Sequence, residues 1–344
     1  MIDDTTGERS SPSERHVQKQ SITVIGAGIF GLWQALVLAR AGHRVGLIDA
    51  SSEPFAAGAS RWAGAMLAPD CEAEAAPPEV RSWGHGGLTI WRATYPHLIN
   101  NGTLVVAAAR DQPELVRYAR MTHGGVPVDA TKISEFEPDL HGRFSAAMYF
   151  ADEAHMDAAA ALRWLLQAVR DLGVDVRFAK TTYDSGSLCI DCRGLSARAD
   201  LPALRGVRGE RVIVTTKDVR LARPIRLLHP RQPIYVVPQG DDRFVIGATV
   251  IEREDAAPMT VKSALDLLGS AYALHPAFAE GSIIDMGAGV RPAFPDNVPH
   301  IVIDDGGKTL RVNGAYRHGF LLAPVMAQAV ADFIDRGVRH PAFT

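Results

Sequence analysis

Cysteine is scarce in this chain, which has three cysteines among 344 residues, and this excludes a disulfide framework of the kind that stabilises small secreted domains. Cys189 and Cys192 form one C-x-x-C pair, but no second pair follows in the sequence, so a zinc site is not indicated. Their apolar neighbours Leu188 and Ile190 predict that both cysteines occupy a buried strand. None of the twelve histidines falls in a metal-ligand spacing, and we expect no bound metal.

An excess of charge of one sign and long apolar runs are also missing. The formal net charge is −3, which indicates neither a nucleic acid nor an anionic membrane as partner. No run approaches the ~18–20 apolar residues that a membrane-spanning helix needs. Residues 1–20 are polar and have no signal-peptide pattern, so we expect a disordered tail there and a cytoplasmic protein.

A strand, a glycine turn, a helix and a second strand follow one another at the start of the patterned sequence. Ser21–Ile25 is a short apolar run, Ile29–Arg40 carries apolar residues at helical spacing, and Arg44–Ile48 is a second buried run. The turn between the first two elements has the spacing G-x-G-x-x-G, and Asp49 closes the second strand. This order is typical of a βαβ unit that binds a dinucleotide.

Each glycine of that turn has a physical role in dinucleotide binding. Gly26 allows the tight turn out of the strand, Gly28 lets the backbone approach a pyrophosphate, and Gly31 lets the helix pack close to the sheet. The N–H groups and dipole at the helix N-terminus then stabilise the phosphate charge. Asp49, 23 residues after Gly26, can accept hydrogen bonds from ribose hydroxyls. These residues alone do not distinguish FAD from NAD.

The second half of the chain is rich in β-branched runs separated by turns, and a final helix begins near Gly319 and ends near Arg336. We therefore predict an α/β fold in which a Rossmann-like domain, using both ends of the chain, is interleaved with an α+β substrate domain built on a mostly antiparallel sheet. The predicted segments are 21–104, 151–205 and 291–344 for the Rossmann-like domain, and 105–150 and 206–290 for the substrate domain.

Several separated motifs carry a resemblance to a known family. The first is S-R-W-A-G-A-M-L over 60–67, which matches the family's small-residue loop beside a flavin. The second is G-V-R-P over 289–292, followed by Pro295 and Asp296, which matches another motif of the same family. The segment G-A-Y-R-H-G-F-L-L-A-P over 314–324 matches a third. From residue 21 to about 336 the chain resembles the D-amino-acid-oxidase-like flavoenzymes, and within them the glycine oxidases of thiamine biosynthesis.

The resemblance implies that the Rossmann-like domain binds FAD. No cysteine lies near the C-terminal motif, so we expect the FAD to be held without a covalent bond. Thr182, in the segment after Gly173, would contact the cofactor through its backbone. The other residues that the glycine pattern and the resemblance assign to FAD are Gly26, Gly28, Ile29, Phe30, Gly31, Asp49, Ala50, Ser60, Gly64, Ala65, Met66, Ala315, Tyr316, Arg317, His318, Gly319, Phe320 and Leu321.

The resemblance also implies a small amino-acid substrate. Arg291 would bind its carboxylate with help from Tyr235 and Arg317, and Met66 would line the pocket. A planar guanidinium can hold a carboxylate through two hydrogen bonds and so orient the α-carbon for oxidation. A strong base is not needed if the amine arrives neutral and hydride leaves to the flavin, since the cofactor does the chemistry.

Departures from the family pattern leave the substrate open. The histidine of the C-terminal family motif is Ala315 here, its asparagine is His318, and Trp62 replaces a small residue. We expect a glycine oxidase, which forms glyoxylate, ammonia and hydrogen peroxide through an imine that thiazole synthase could use, and which forms homo-oligomers. The alternatives are a D-amino-acid or sarcosine-type oxidase or dehydrogenase, an oxidase of a carboxymethylaminomethyl tRNA base, and a flavin-binding protein without enzymatic activity.

Overall fold

The computed structural model of the chain describes residues 19–56, 58–180, 187–229, 232–255 and 257–344. The expected tail, up to residue 18, and Thr182 lie outside these residues. The first elements are those of the predicted βαβ unit. Strand β1 (Ser21–Ile25) leads through the glycine turn into helix α1 (Ile29–Arg40), and β2 (Arg44–Asp49) pairs with β1 in parallel.

The remaining helices and strands follow in chain order. They are β3 (Met66–Leu67), α2 (Pro78–Thr94), β4 (Thr103–Ala107), α3 (Gln112–Met121), β5 (Val126–Asp129), α4 (Ala130–Phe136), β6 (Ala146–Phe150), β7 (Ala154–His155), α5 (Ala158–Asp171), β8 (Asp175–Phe178), β9 (Leu188–Asp191), β10 (Arg205–Thr215), β11 (Ile225–Leu228), β12 (Ile234–Pro238), β13 (Arg243–Gly247), α6 (Val261–Leu274), β14 (Ser282–Ala293), β15 (His300–Asp304), β16 (Thr309–Asn313) and α7 (Gly319–Arg336).

One sheet has the order β15-β16-β9-β1-β2-β8. Its neighbouring strands are parallel except for β15 and β16. Helices α1, α5 and α7 share a buried apolar core with this sheet, to which α1 contributes the fully buried Leu32, Trp33 and Leu36. Because β9 and β16 lie on the same side of β1, the middle and the end of the chain complete the sheet that its beginning starts.

A second sheet has the order β14-β10-β13-β12-β11-β4-β6-β5, and its neighbours are antiparallel except for β4 and β11. Helices α4 and α6 pack on it through side chains such as Ile133 and Leu267. The two sheets confirm the predicted α/β fold class. The expected domain boundary at 104 falls inside β4, and the one at 291 falls inside β14. Each of these strands belongs to the second sheet along its whole length.

The segment 51–78 contains two 3-10 turns and the strand β3. These elements are two to four residues long, too short to give a periodic apolar pattern in the sequence. Strand β3 pairs with β7, and this pairing places Met66 opposite His155. Cys189 lies in β9 and Cys192 directly follows Asp191 at its end, and both are buried.

Across the part of the chain that the structure describes, none of the helices has both the length and the apolar character needed to cross a membrane.

Candidate active site

A cavity of about 830 Å³ is lined by residues from both large sheets. This volume lies within the range of about 300–1,000 Å³ that is typical of ligand and cofactor sites. Gly31 lies behind the wall of the cavity, and Thr182 lies outside the described residues. All other predicted site residues line the cavity: Gly26, Gly28, Ile29, Phe30, Asp49, Ala50, Ser60, Gly64, Ala65, Met66, Tyr235, Arg291, Ala315, Tyr316, Arg317, His318, Gly319, Phe320 and Leu321.

The glycine turn is tight enough that side chains are excluded from two of its positions. Gly26 has a φ of +97°, and a Cβ there would lie 2.5 Å from the carbonyl oxygen of Cys192. A Cβ on Gly31 would lie 1.7 Å from the carbonyl oxygen of Gly26. Gly31 therefore serves close packing of α1 on the turn, which is why it is not part of the cavity wall.

Two side chains fix the turn from outside. The carboxylate of Asp49 accepts hydrogen bonds from the N–H of Ala27 at 2.7 Å and from the N–H of Ser51 at 2.8 Å. The hydroxyl of Ser60 accepts one from the N–H of Ile29 at 3.1 Å. The 51–78 segment thus contributes to the N-terminus of α1, where Gly28 has no side chain of its own.

This end of the cavity fits a dinucleotide. An unobstructed helix N-terminus suits a pyrophosphate, and a carboxylate at the end of the second strand suits a ribose. The absence of a side chain on Gly28 leaves the backbone of the turn accessible to a ligand. A Cβ at this position would lie 3.3 Å from the Ser60 hydroxyl, which is a tight contact. Gly26, Gly28, Asp49 and Ser60 are therefore the residues that would hold a dinucleotide at its pyrophosphate and ribose.

The other end of the cavity contains a guanidinium lying flat on the sheet. Arg291 on β14 crosses over Gly209 on β10, where a Cβ would lie 2.0 Å from its Nη2 atom. Its Nη1 atom donates to the carbonyl oxygen of Thr249 at 3.2 Å. Burial lowers the pKa of Arg291, and the nearby Tyr235 and Tyr316 oppose that shift. An arginine stays charged under such a shift, so the site keeps a positive charge in the cavity wall.

Tyr235 is placed in a similar way. Its ring lies between Gly64 and Gly247: a Cβ on Gly64 would be 2.6 Å from Cε2, and one on Gly247 would be 2.8 Å from the hydroxyl oxygen. Burial raises the pKa of Tyr235, and Arg291 lowers it to a smaller extent. The phenol is therefore protonated at neutral pH and can donate a hydrogen bond to an anion beside Arg291.

Arg317 and His318, at the start of α7, lie next to a carboxylate that the sequence motifs did not single out. The Oε2 atom of Glu72 is 3.1 Å from Nδ1 of His318 and 3.6 Å from Nε of Arg317. His318 is buried, and its burial lowers its pKa, while the hydrogen bond to Glu72 opposes this. Glu72 lines the cavity, as do Arg291 and Arg317.

Several residues that line this cavity were missed at the level of sequence, among them Glu72, Gly209 and Arg226. Gly209 does belong to the segment R-G-V-R-G, which was a usable signal, although nothing near it shows what it makes room for. Arg226 lines the cavity and pairs with Glu74 at 3.0 Å, but in the sequence it is one arginine in an apolar strand. Glu72 has only the signal of a carboxylate in a segment of small residues.

Comparison with known proteins agrees with this geometry. The DAO family model, described as FAD dependent oxidoreductase, matches residues 21–333. A protein of Rhizobium etli named putative thiamine biosynthesis oxidoreductase ThiO is 48% identical over 317 residues, which cover 90% of this chain and 95% of that protein. The bifunctional protein ThiO/ThiG of Synechocystis sp. is 26% identical over 91% of this chain, which spans 51% of that relative.

Among solved structures, the crystal structure of glycine oxidase from Geobacillus kaustophilus superposes with a TM-score of 0.80 at 21% sequence identity. The superposition covers 95% of this chain and 97% of the other, so the two proteins share their fold. The family match extends over both sheets and over both ends of the cavity. The chain therefore belongs to the DAO family of FAD dependent oxidoreductases.

Proposed function

We propose that this protein is an FAD-dependent glycine oxidase, which converts glycine, oxygen and water into glyoxylate, ammonia and hydrogen peroxide through an imine. One observation carries the proposal: the half-buried guanidinium of Arg291 lines the same cavity as the glycine turn that suits a dinucleotide. A cation fixed in that wall binds an anionic substrate at a set position. Relatives named ThiO and glycine oxidase support the choice of a small amino acid.

The residues at this end of the cavity bind and orient the substrate. Arg291 holds the carboxylate, and the Tyr235 hydroxyl donates a further hydrogen bond to it. When the carboxylate is held at two or more points, the α-carbon is fixed in one position relative to the cofactor. Such orientation can lower the activation free energy of the reaction by a large part. FAD, when bound, supplies the two-electron acceptor for the α-hydrogen.

The size of the substrate is limited by Trp62, which also lines the cavity. Its indole lies on the glycine face of β14: a Cβ on Gly287 would be 2.3 Å from the indole ring, and one on Gly289 would be 2.7 Å from it. The cation–π contacts of Arg61 and Arg211, at 4.7 Å and 5.1 Å from the ring, keep the indole in place. We infer that a fixed wall of this kind favours a substrate without a side chain.

The imine product connects this reaction to a consumer. Imines hydrolyse in water, so an enzyme that uses one must take it soon after release, and we propose thiazole synthase for this role. The ThiO/ThiG relative, which joins the two named parts in one chain, supports the pairing. Adding thiazole synthase with its other substrates to the reaction is expected to lower the yield of free glyoxylate without lowering oxygen uptake.

The experiment that tests the function combines a spectrum with turnover. The purified protein is expected to show a flavin spectrum that bleaches when glycine is added without oxygen, and to form peroxide with glycine in air. A panel of glycine, sarcosine, D-alanine and D-proline, compared by kcat/KM, is expected to rank glycine first. If glycine causes no bleaching of the flavin and no peroxide is formed, the proposal is wrong.

Arg291→Ala gives the residue-level test of the same proposal. Since truncating one partner of a buried charge pair costs about 2–5 kcal/mol, kcat/KM for glycine is expected to fall by roughly 100-fold or more with FAD retained. Arg177→Ala, which removes an exposed arginine in β8, is the matched control and is expected to leave kcat/KM unchanged. Wild-type turnover by Arg291→Ala would show that the carboxylate binds elsewhere.

A further inference from the structure

Besides Asp49 beside the glycine turn, the cavity wall contains the carboxylate of Glu72, which lies among several cations. Glu72, on a 3-10 turn of the 51–78 segment, lines the cavity together with Arg226, Arg291 and Arg317. A carboxylate beside a site for an anionic substrate weakens binding of that substrate's negative end. A carboxylate in that position therefore suits a ligand that also carries a hydrogen-bond donor such as an amine.

The contacts of Glu72 leave one of its oxygens available. Oε2 accepts a hydrogen bond from Nδ1 of His318 at 3.1 Å and lies 3.6 Å from Nε of Arg317. Oε1 has no hydrogen-bond partner within the described part of the chain. The Glu72 side chain is 16% exposed against 2% for His318, and because Glu72 lines the cavity, that exposed part faces the ligand space.

Glu72 is ionised and lies near the residues that hold the substrate carboxylate. Arg317 and His318 hold the pKa of Glu72 far below its ordinary value, against the opposing effect of burial. Glu72, Tyr235 and Arg291 all line the cavity, and the charge of Glu72 raises the pKa of the other two. An α-amino acid carries its amino group and its carboxylate on the same carbon, and a carboxylate such as that of Glu72 can accept a hydrogen bond from the N–H of the neutral, reactive amine.

We propose that Glu72 binds the α-amino group of the substrate and thereby makes the site select amino acids over carboxylates that lack an amine. The inference rests on the proposed function and adds the residue that recognises nitrogen, whereas Arg291 and Tyr235 recognise the carboxylate. His318 and Arg317 are positioning residues in this arrangement. They fix Oε2 and direct Oε1 toward the amine.

The test separates recognition of the amine from recognition of the carboxylate. Glu72→Gln in the FAD-loaded enzyme is expected to lower kcat/KM for glycine by about 10- to 100-fold, the range for loss of a hydrogen bond to a charged group. The inhibition constant of acetate, which has the carboxylate and no amine, is expected to stay at or below its wild-type value, because Glu72→Gln removes a repulsion on that carboxylate and no contact to it. The ratio of the two constants is the measured quantity.

Two further variants make the result specific. Glu74→Gln removes a carboxylate from the same turn that pairs with Arg117 and Arg226 and does not line the cavity, so the ratio is expected to stay at its wild-type value. Glu72→Asp keeps the charge but withdraws it by one methylene, and it is expected to lower glycine turnover less than Glu72→Gln does. If Glu72→Gln does not fold or does not retain FAD, the same ratio of constants is measured in Glu72→Asp instead.

Two outcomes would overturn the inference. If acetate inhibition weakens as much as glycine turnover in both Glu72 variants, Glu72 only keeps Arg317 and His318 in place. If glycine turnover stays within twofold of wild type, Glu72 does not contact the amine. Both differ from failure of the proposed function, in which the wild-type enzyme itself oxidises no amino acid.

Discussion

Gly209 is the residue whose substitution tests the substrate site most directly, because a side chain added there would collide with the guanidinium of Arg291. A Cβ on Gly209 would lie 2.0 Å from Nη2, 2.1 Å from Cζ and 2.3 Å from Nη1 of Arg291. A normal carbon contact needs about 3.5 Å. Gly209→Ala therefore forces the guanidinium to move off the sheet by more than 1 Å, into the space proposed for the substrate carboxylate.

The magnitude follows from that displacement. A misplacement of about 1 Å in a positioning group can lower the rate by about 100-fold. At about 1.36 kcal/mol for each factor of ten, this corresponds to roughly 2.7 kcal/mol of transition-state stabilisation. The hydrogen bond from Arg291 to the Thr249 carbonyl, 3.2 Å long, would be lost in the same movement. FAD content is expected to stay at the wild-type level, since Gly26, Asp49 and Ser60 are untouched.

The assay compares kcat/KM for glycine in Gly209→Ala, in Arg291→Ala and in the double variant. If Gly209 acts through Arg291, the double variant is expected to be no worse than Arg291→Ala alone, because contacting residues are not additive. Gly269→Ala is the control: this glycine lies in α6 with no atom within 4 Å of the added Cβ, so activity should be unchanged. Full additivity, or a Gly209→Ala enzyme within twofold of wild type, would refute the reasoning.

Three further changes have defined outcomes. Asp49→Asn places an amide group opposite backbone N–H donors, so the Kd for FAD, measured by flavin fluorescence, is expected to rise about tenfold or more. Tyr235→Phe removes one donor to the substrate carboxylate and is expected to lower kcat/KM for glycine about tenfold, with FAD retained. Burial raises the pKa of Glu153 to about 8 from an ordinary 4.5, so the folded state keeps a proton that the unfolded state loses, and stability falls as the pH rises through this interval. Glu153→Gln has no such proton to lose. The Tm at pH 8 minus the Tm at pH 5 is therefore expected to be higher in this variant than in the wild type by roughly 5 °C.

The local elements could be predicted from the sequence because their signals are local. Ser21–Ile25 and Ile29–Arg40 were predicted with the bounds that the structure shows, as was the helix from Gly319 to Arg336. In each of these elements a periodic apolar pattern is ended by glycine or by a change to polar residues. The glycine turn was similarly readable, since the spacing of its three glycines reflects contacts within a few residues.

The strand order was not predictable in this way. Nothing in the pattern of β9 or β16 says that these strands flank β1, because pairing between distant strands depends on the packing of all the helices that cover the sheet. The position of Glu72 has the same origin. Its turn is held near the start of α7, almost 250 residues along the chain, by contacts that no local signal encodes.

A shared arrangement explains why the eight-stranded sheet carries so many glycines. Tyr235 pairs directly with Gly247, and Arg291 is the diagonal neighbour of Gly209, two residues beyond the Gly289 that pairs with it. Trp62 lies over the glycines of β14. A glycine inside a strand costs about 0.5–1 kcal/mol relative to alanine, so Gly209, Gly247, Gly287 and Gly289 together lower the stability of the sheet by roughly 2–4 kcal/mol. That cost has a physical reason if the large side chains must lie flat on the sheet, since side chains that stood upright would fill the cavity that they line.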